Sequence, residues 1–265
     1  MCEIFCFNSN TPKQVNECLE CFYNHSDEHP HGWGLATIQS DEFIIQKEPV
    51  KATCSQHLKD ILSNPVIGKN VFAHIRLATV GEIISPNCHP FIEADDNNRS
   101  WMLIHNGTIF DFPELDKYKD SENGDTDSER ILLYIIDKVN EFEKQKNAPS
   151  TIKERFDLLT EIVSELSKNN KLNLMIYDGD LTYIHSNMKD SLYYLKNDEG
   201  FLVASTPLND EKNWKSVELN KLFGLIDGNI IFESEEHSNE FILREYHEKT
   251  IEEFLKTLNV DENND

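Results

Sequence analysis

A cysteine stands directly behind the initiator methionine in the opening stretch MCEIFCFN. It is either an ordinary strand residue or, once the methionine is removed, the N-terminus itself. In the second case one residue carries both a thiol and a free amine. A thiolate attacks an amide carbonyl far better than a thiol, yet an ordinary cysteine thiol, with pKa about 8.5, is mostly protonated at neutral pH. A free α-amine of pKa about 7.7–8 is a base of suitable strength within a bond or two of the sulfur. Three further stretches set polar residues and glycine beside apolar runs: HGWGLA (31–36), AHIRLATVGE (73–82) and HNGTI (105–109). Singly each has an ordinary explanation. Asn-Gly favours a tight turn, Arg76 could be ion-paired within a strand, and TDSE (126–129) reads as a helix cap.

Short β-rich runs alternating with loops make up the first half: EIFCF, WGLATI, EFIIQ, VFAHIR and WMLIH. Two helices follow. In TDSERILLYIIDKVNEF, Thr126 and Glu129 have capping-box spacing, and Ile131, Leu132, Ile135, Ile136, Val139 and Phe142 form one broad apolar face. TIKERFDLLTEIVSEL repeats the box with Thr151 and Glu154. Strands then resume in KLNLMIYDGD, LTYIHS, SLYYLK, FLVAS, LFGLID, NIIFES and FILRE. These are too many strands for one small sheet, so the pattern predicts a layered α+β sandwich with helices on sheet faces. A single domain over 2–258 is expected, followed by an acidic, frayed tail over 259–265.

Cys18-x-x-Cys21, with His25 and His29 following, superficially resembles a zinc site, but only three residues separate the cysteine pair from the first histidine. An amphipathic helix over PKQVNECLECFYN, with Val15, Cys18, Leu19 and Phe22 on one face, accounts for the same residues. No other cluster has metal-ligand spacing, and no cofactor is expected. The chain of 265 residues carries 25 basic and 48 acidic side chains, a formal charge of −23. Such a surface repels phosphate backbones and anionic headgroups, so neither nucleic acid nor membrane is an expected partner. With no signal peptide and no apolar run of about 18 residues, the sequence reads as cytoplasmic, where its six cysteines stay reduced.

Taken together and in order, the motifs resemble the class II glutamine amidotransferases, whose glutaminase domain belongs to the N-terminal nucleophile superfamily. The residues that carry the resemblance are Cys2, Gly32-Trp33-Gly34, His74-Ile75-Arg76-Leu77-Ala78-Thr79, Asn87-Cys88-His89-Pro90-Phe91, His105-Asn106-Gly107 and Thr126-Asp127-Ser128-Glu129, and ASTPL (204–208) is similar to a late motif of that family. The resemblance implies a four-layer αββα sandwich whose first strand delivers Cys2 to a cleft. It further implies that the Asn106 amide and the Gly107 backbone N–H hold the oxyanion, each such donor contributing roughly 3–4 kcal/mol. Arg76 offers a planar fork for the substrate carboxylate, and Asp127, at a helix N-terminus, pairs with the α-ammonium. Trp33, Thr79 and His89 are expected to wall the pocket or support it, with His74 and His105 structural.

Larger relatives carry a second domain that consumes the released ammonia. Here HIRLATVGE replaces the HTRWATHG typical of sugar-phosphate-linked enzymes and is similar to stand-alone amidotransferases and to γ-glutamyl amide hydrolases of thiol metabolism. The expected reaction is hydrolysis of a γ-glutamyl amide through a Cys2 thioester. Glutamine is the leading substrate and a γ-glutamyl conjugate the alternative, with either water or an unlinked enzyme receiving the ammonia. A catalytically silent binding protein on the same fold is the reading from another class, and the intact set Cys2, Arg76, Asn106, Gly107 and Asp127 argues against it. Cys6 shares a strand face with Cys2 and is either buried beneath the site or a second reactive thiol. Intact-mass measurement of the active protein is expected to show Met1 missing; active protein with Met1 retained would sink the amine-as-base mechanism.

Overall fold

The computed structural model describes residues 2–39, 42–209 and 212–261. In chain order its main elements are β1 (Glu3–Gln14), α1 (Asn16–Asn24), β2 (Trp33–Gln39), β3 (Glu42–Glu48), α2 (Gln56–Leu62), β4 (Ile67–Ile75), β5 (Phe91–Ala94) and β6 (Ser100–Thr108). Then come α3 (Asp127–Lys146), α4 (Ile152–Leu166), β7 (Lys171–Tyr177), β8 (Thr182–Ser186), β9 (Tyr193–Asn197), β10 (Gly200–Ala204), β11 (Lys215–Ser216), β12 (Lys221–Ile226), β13 (Asn229–Glu233) and α5 (Glu245–Asp261). One sheet has the order β11-β9-β10-β1-β4-β2-β3 and the other β13-β12-β8-β7-β6-β5.

Alternation along β1 explains how the layers form. Phe5 and Phe7 face outward and pack with Leu19, Phe22 and Leu58 of α1 and α2, whereas Ile4 and Cys6 face inward to meet Met102, Ile104 and Met175 of the second sheet. On the far side of that sheet, Leu103, Leu172 and Leu174 pack with Ile135, Val139, Leu159 and Ile162 of α3 and α4. Both faces of both sheets are therefore covered, which is the expected αββα sandwich. Cys6 is buried, and burial pushes its thiol pKa up. The Cys18–Cys21 stretch lies within α1, as the helical reading has it.

Thr151 and Glu154 form the complete reciprocal cap of α4. The cap of α3 is half of one. Thr126 Oγ1 accepts from Glu129 N–H, but the Glu129 carboxylate accepts from the backbone N–H groups of Asn123 and Gly124 and so orders the loop ahead of the helix. FILRE is not a strand. Phe241 is buried against Phe110 while Ile242 is 61% exposed, so one docked ring replaces strand pairing. The helix α5 was hidden by its acidic composition, although His247, Ile251 and Phe254 recur at helical spacing. Residues 259–261 of the expected frayed tail continue α5, and 262–265 lie outside the described residues. Among the described residues no helix is long and apolar enough to cross a membrane.

Buried histidines link this packing to pH. His74, His89, His105 and His185 are all at most 4% exposed. Burial holds His74 and His89 well below the usual imidazole range, lowers His105, and brings His185 down to about 3. In the unfolded chain each regains a pKa of about 6.5. Below that pH the unfolded state binds protons that the folded state does not, so stability is lost on acidification. The melting temperature is expected to fall between about pH 6.5 and pH 5, above most carboxylate titration, and a His89→Phe variant should fall less steeply. Parallel slopes for the two proteins would refute the assignment to His89.

Candidate active site

Cys2 precedes β1, and Glu3 pairs with Ile75 at the end of β4. The chain beyond β4 consequently runs past the sulfur. Cys2 Sγ donates to the Leu77 carbonyl at 3.3 Å and accepts from the Leu77 N–H at 3.4 Å. The turn that holds Leu77 is set in part by His31, whose Nδ1 accepts from Ala78 N–H at 2.9 Å.

On the opposing sheet, His105-Asn106-Gly107 is not a turn but lies within β6, in register with β7, where Asn106 faces Asn173 and Gly107 faces Leu172. The Asn106 amide Nδ2 donates to Ser205 Oγ at 3.1 Å, and that hydroxyl also accepts from Ile4 N–H at 3.0 Å. Ser205 N–H in turn donates to the Ile4 carbonyl at 3.0 Å. One hydroxyl thus ties the Asn106 amide to the backbone two residues beyond Cys2. A Cβ at position 107 would lie 2.0 Å from the Lys171 carbonyl oxygen, so only glycine allows this approach of the strands.

Arg76 is 2% exposed. Its guanidinium donates to the carbonyls of Glu82 at 2.7 Å, Val80 at 2.9 Å and Gly81 at 3.1 Å, wrapping the loop after β4 around its own charge. Asp127, the first residue of α3, accepts from Ile109 N–H at 2.8 Å through Oδ2. It also lines an open cleft with Ile109, Phe110 and Arg130. Two polar residues lace these loops together. Asn87 Nδ2 donates to the Glu82 carbonyl at 2.9 Å and to the Asp125 carboxylate, while Asp125 N–H donates to Asn87 Oδ1 at 2.9 Å. Thr79 Oγ1 meets Thr108 Oγ1 of β6 at 3.0 Å, which docks the Arg76 loop on the second sheet.

The other expected pocket residues sit deeper. His89 stacks on His74 with ring centroids 3.9 Å apart, and neither of its ring nitrogens has a hydrogen-bond partner among the described residues. Trp33, expected to wall the pocket or support it, is fully buried on the helix-facing side of β2, packed against Tyr23 and His57 with its N–H on Glu48. Strand alternation is the reason: it turns Trp33 outward and Gly34 inward. At Gly34 a Cβ would lie 1.7 Å from the His89 carbonyl oxygen, so the glycine lets the Asn87–Phe91 segment rest on β2.

Sequence reasoning passed over Lys171, Ser205, Asn87, Asp125 and His31. Ser205 lies in the late ASTPL stretch and Asn87 in NCHPF, so motifs pointed near both. Lys171 had one signal, a charge heading a strand with no other charged residue. It is 2% exposed, and its ammonium donates to Asn106 Oδ1 at 2.9 Å. Burial lowers its pKa to about 8, against an opposing pull from nearby Cys2.

The assembled site holds a thiol at a strand head, an amide on the facing sheet, and a buried cation and a carboxylate on loops laced to each other. Known proteins are similar to the chain that carries these residues. A family model described as class-II glutamine amidotransferases matches residues 1–197. The chain is 27% identical over 262 residues to the uncharacterized protein MJ1515 of Methanocaldococcus jannaschii, covering 88% of this chain and 71% of that one. Among solved structures it resembles a predicted glutamine amidotransferase from Pseudomonas aeruginosa, with a TM-score of 0.62 at 19% identity, covering 87% of this chain and 99% of that one. It also resembles the glutamine phosphoribosylpyrophosphate amidotransferase from B. subtilis, with a TM-score of 0.64 at 18% identity, covering 90% of this chain and 50% of that one. At these identities the two structures speak to the fold, an N-terminal nucleophile sandwich. The family model spans most of the chain and includes Cys2, Arg76, Asn106, Gly107 and Asp127, and the chain belongs to the class II glutamine amidotransferase family.

Proposed function

We propose that the protein hydrolyses a γ-glutamyl amide through a Cys2 thioester, with glutamine as the leading substrate. The observation that carries this reading is the Ser205 hydroxyl, which holds both Asn106 Nδ2 and the Ile4 N–H and so presents an amide donor beside the strand headed by Cys2.

With Met1 removed, the Cys2 α-amine accepts the thiol proton and the thiolate adds to the γ-carbonyl carbon. The carbonyl oxygen becomes an oxyanion held by Asn106 Nδ2 and the Gly107 N–H. On collapse the C–N bond breaks, the leaving nitrogen takes the proton from the α-ammonium, and ammonia or an amine departs. Water then adds to the thioester with the α-amine again as base, releasing glutamate and restoring the thiol. Arg76 receives the substrate carboxylate through the N–H donors that the 80–82 carbonyls leave unengaged among the described residues. Asp127, already polarised by the Ile109 N–H, receives the α-ammonium in the cleft it lines. Thr79 keeps the Arg76 loop on β6, and His89 stacks on His74 two residues before Arg76. Both substrate contacts recognise the glutamyl half that glutamine and its conjugates share. What binds beyond the scissile bond therefore decides the substrate, and an unlinked partner decides whether ammonia goes to an acceptor or to solution.

A panel of γ-glutamyl amides assayed for glutamate release tests the reading. Glutamine is expected to be hydrolysed, and strong preference for a conjugate would defeat the ammonia-donor reading. The glutamine-analogue electrophile 6-diazo-5-oxo-norleucine should label Cys2 alone; no adduct where a control glutaminase reacts favours a silent binder. Asn106→Ala is expected to lower kcat about 100-fold with KM nearly unchanged, as loss of one oxyanion donor does. Arg76→Lys should raise KM, because the three donors of an ammonium cannot hold the Val80, Gly81 and Glu82 carbonyls and a substrate carboxylate as well.

A further inference from the structure

Lys171 is a buried charge beside the proposed oxyanion donor that this mechanism leaves unused. It heads β7, where strand alternation turns Lys171, Asn173, Met175 and Tyr177 toward the space between the sheets, the last two as part of the apolar layer there. Lysine is among the residues least often fully buried, because desolvating an ammonium is costly unless a partner compensates. A position serving packing alone would take methionine, as position 175 does.

We propose that Lys171 is a positioning residue for the oxyanion donor: its ammonium clamps the Asn106 amide oxygen, so that the amide nitrogen is the end turned toward Ser205 and the strand of Cys2. This rests on the hydrolytic reading above and deepens it. A carboxamide is nearly symmetric in shape, and its two orientations differ only in which end donates. For an oxyanion the difference is decisive, since the flipped amide presents a carbonyl oxygen to the developing negative charge. Ser205 cannot impose the choice, because a hydroxyl both donates and accepts. An ammonium only donates. With Nζ 2.9 Å from Oδ1, a flip would set N–H against N–H and forfeit a charge-assisted bond, which is roughly twice as strong as a neutral one. The backbone fixes the pair: Lys171 lies opposite Thr108 on the strand that carries Asn106, and the missing Cβ at Gly107 admits the Lys171 carbonyl between them. The cation also lies near enough to Cys2 for the cysteine to oppose the lowering of the lysine pKa by burial.

The test uses the full-length protein with Lys171→Met, which keeps length and loses the donor, and Lys171→Gln, which keeps an N–H donor without the charge. Lys171→Met is expected to lower kcat about 10- to 100-fold with KM within about threefold, up to the lower end of what outright loss of an oxyanion donor costs. Labelling of Cys2 by 6-diazo-5-oxo-norleucine, whose carbonyl needs the oxyanion site, should slow in parallel, while alkylation by iodoacetamide, which does not need it, stays at the wild-type rate. Lys171→Gln should recover part of kcat. In an Asn106→Ala background Lys171→Met should cost nothing further, because its effect passes through the amide. Unchanged kcat in Lys171→Met, an additive double variant, or equal slowing of both reagents overturns the proposal. Should Lys171→Met fail to fold, Lys171→Gln and its combination with Asn106→Ala give the same additivity readout. A wild-type protein that neither hydrolyses γ-glutamyl amides nor takes the diazo label overturns the proposed function instead. A structure of the Lys171→Met variant that resolves the amide hydrogens then decides the positioning claim: an Asn106 amide that leaves Ser205 or turns its oxygen toward it supports the claim, and one that keeps its nitrogen on Ser205 overturns it.

Discussion

The site depends on β1 running through the middle of the molecule. It is paired on one edge with β10 and on the other with β4, covered outward by α1 and α2 and inward by the second sheet. A chain terminus is ordinarily the least constrained part of a domain, because fraying costs few contacts. Here fraying the first residues would expose Ile4, Phe5 and Cys6, all fully buried, and break pairing on both edges at once. Burial of each such large apolar side chain contributes roughly 1.5–3 kcal/mol, so the strand that carries Cys2 is as firmly placed as any core element.

That arrangement brings polar groups into a place where they must be satisfied. The end of the inter-sheet space holds Asn106, Lys171 and Ser205, with Arg76 at the neighbouring edge. Each has a defined partner: a carboxamide oxygen for the ammonium, a hydroxyl for the amide, three carbonyls for the guanidinium. In a low-dielectric setting an unpaired member would cost more than its bond gains when made. The network is thus a condition of folding as well as the groundwork of the proposed site. The lacing of Asn87, Asp125 and Glu129 does the same for the loops, holding Arg76 and Asp127 in fixed relation although 50 residues separate them.

Much of the fold was legible because its strands are short and apolar and its two central helices carry strong periodicity. The misreadings have specific causes. FILRE looks like a strand because three apolar residues adjoin, yet a single ring, Phe241, docks and Ile242 stays exposed. The helix α5 escaped notice because acidic residues crowd its sparse apolar positions. Trp33 stood in a motif shared with the family, but strand parity sends it to the outer face and leaves Gly34 to receive the His89 carbonyl. Membership in a motif fixes position along the chain and not the face that a side chain takes.

The sequence by itself pointed to the candidate nucleophile and to the layered class of the fold, through residue type and periodicity, and its ordered motifs carried the likeness to the class II glutamine amidotransferases from which the proposed oxyanion pair and charged substrate contacts follow. Only the tertiary structure decided what holds those groups. Lys171 lies 65 positions from Asn106, and Ser205 lies 99 positions from it and 201 from Ile4. No local periodicity connects such residues. They meet because two sheets stack face to face and strand register sets which side chains share the space between them, and that register belongs to the whole sandwich.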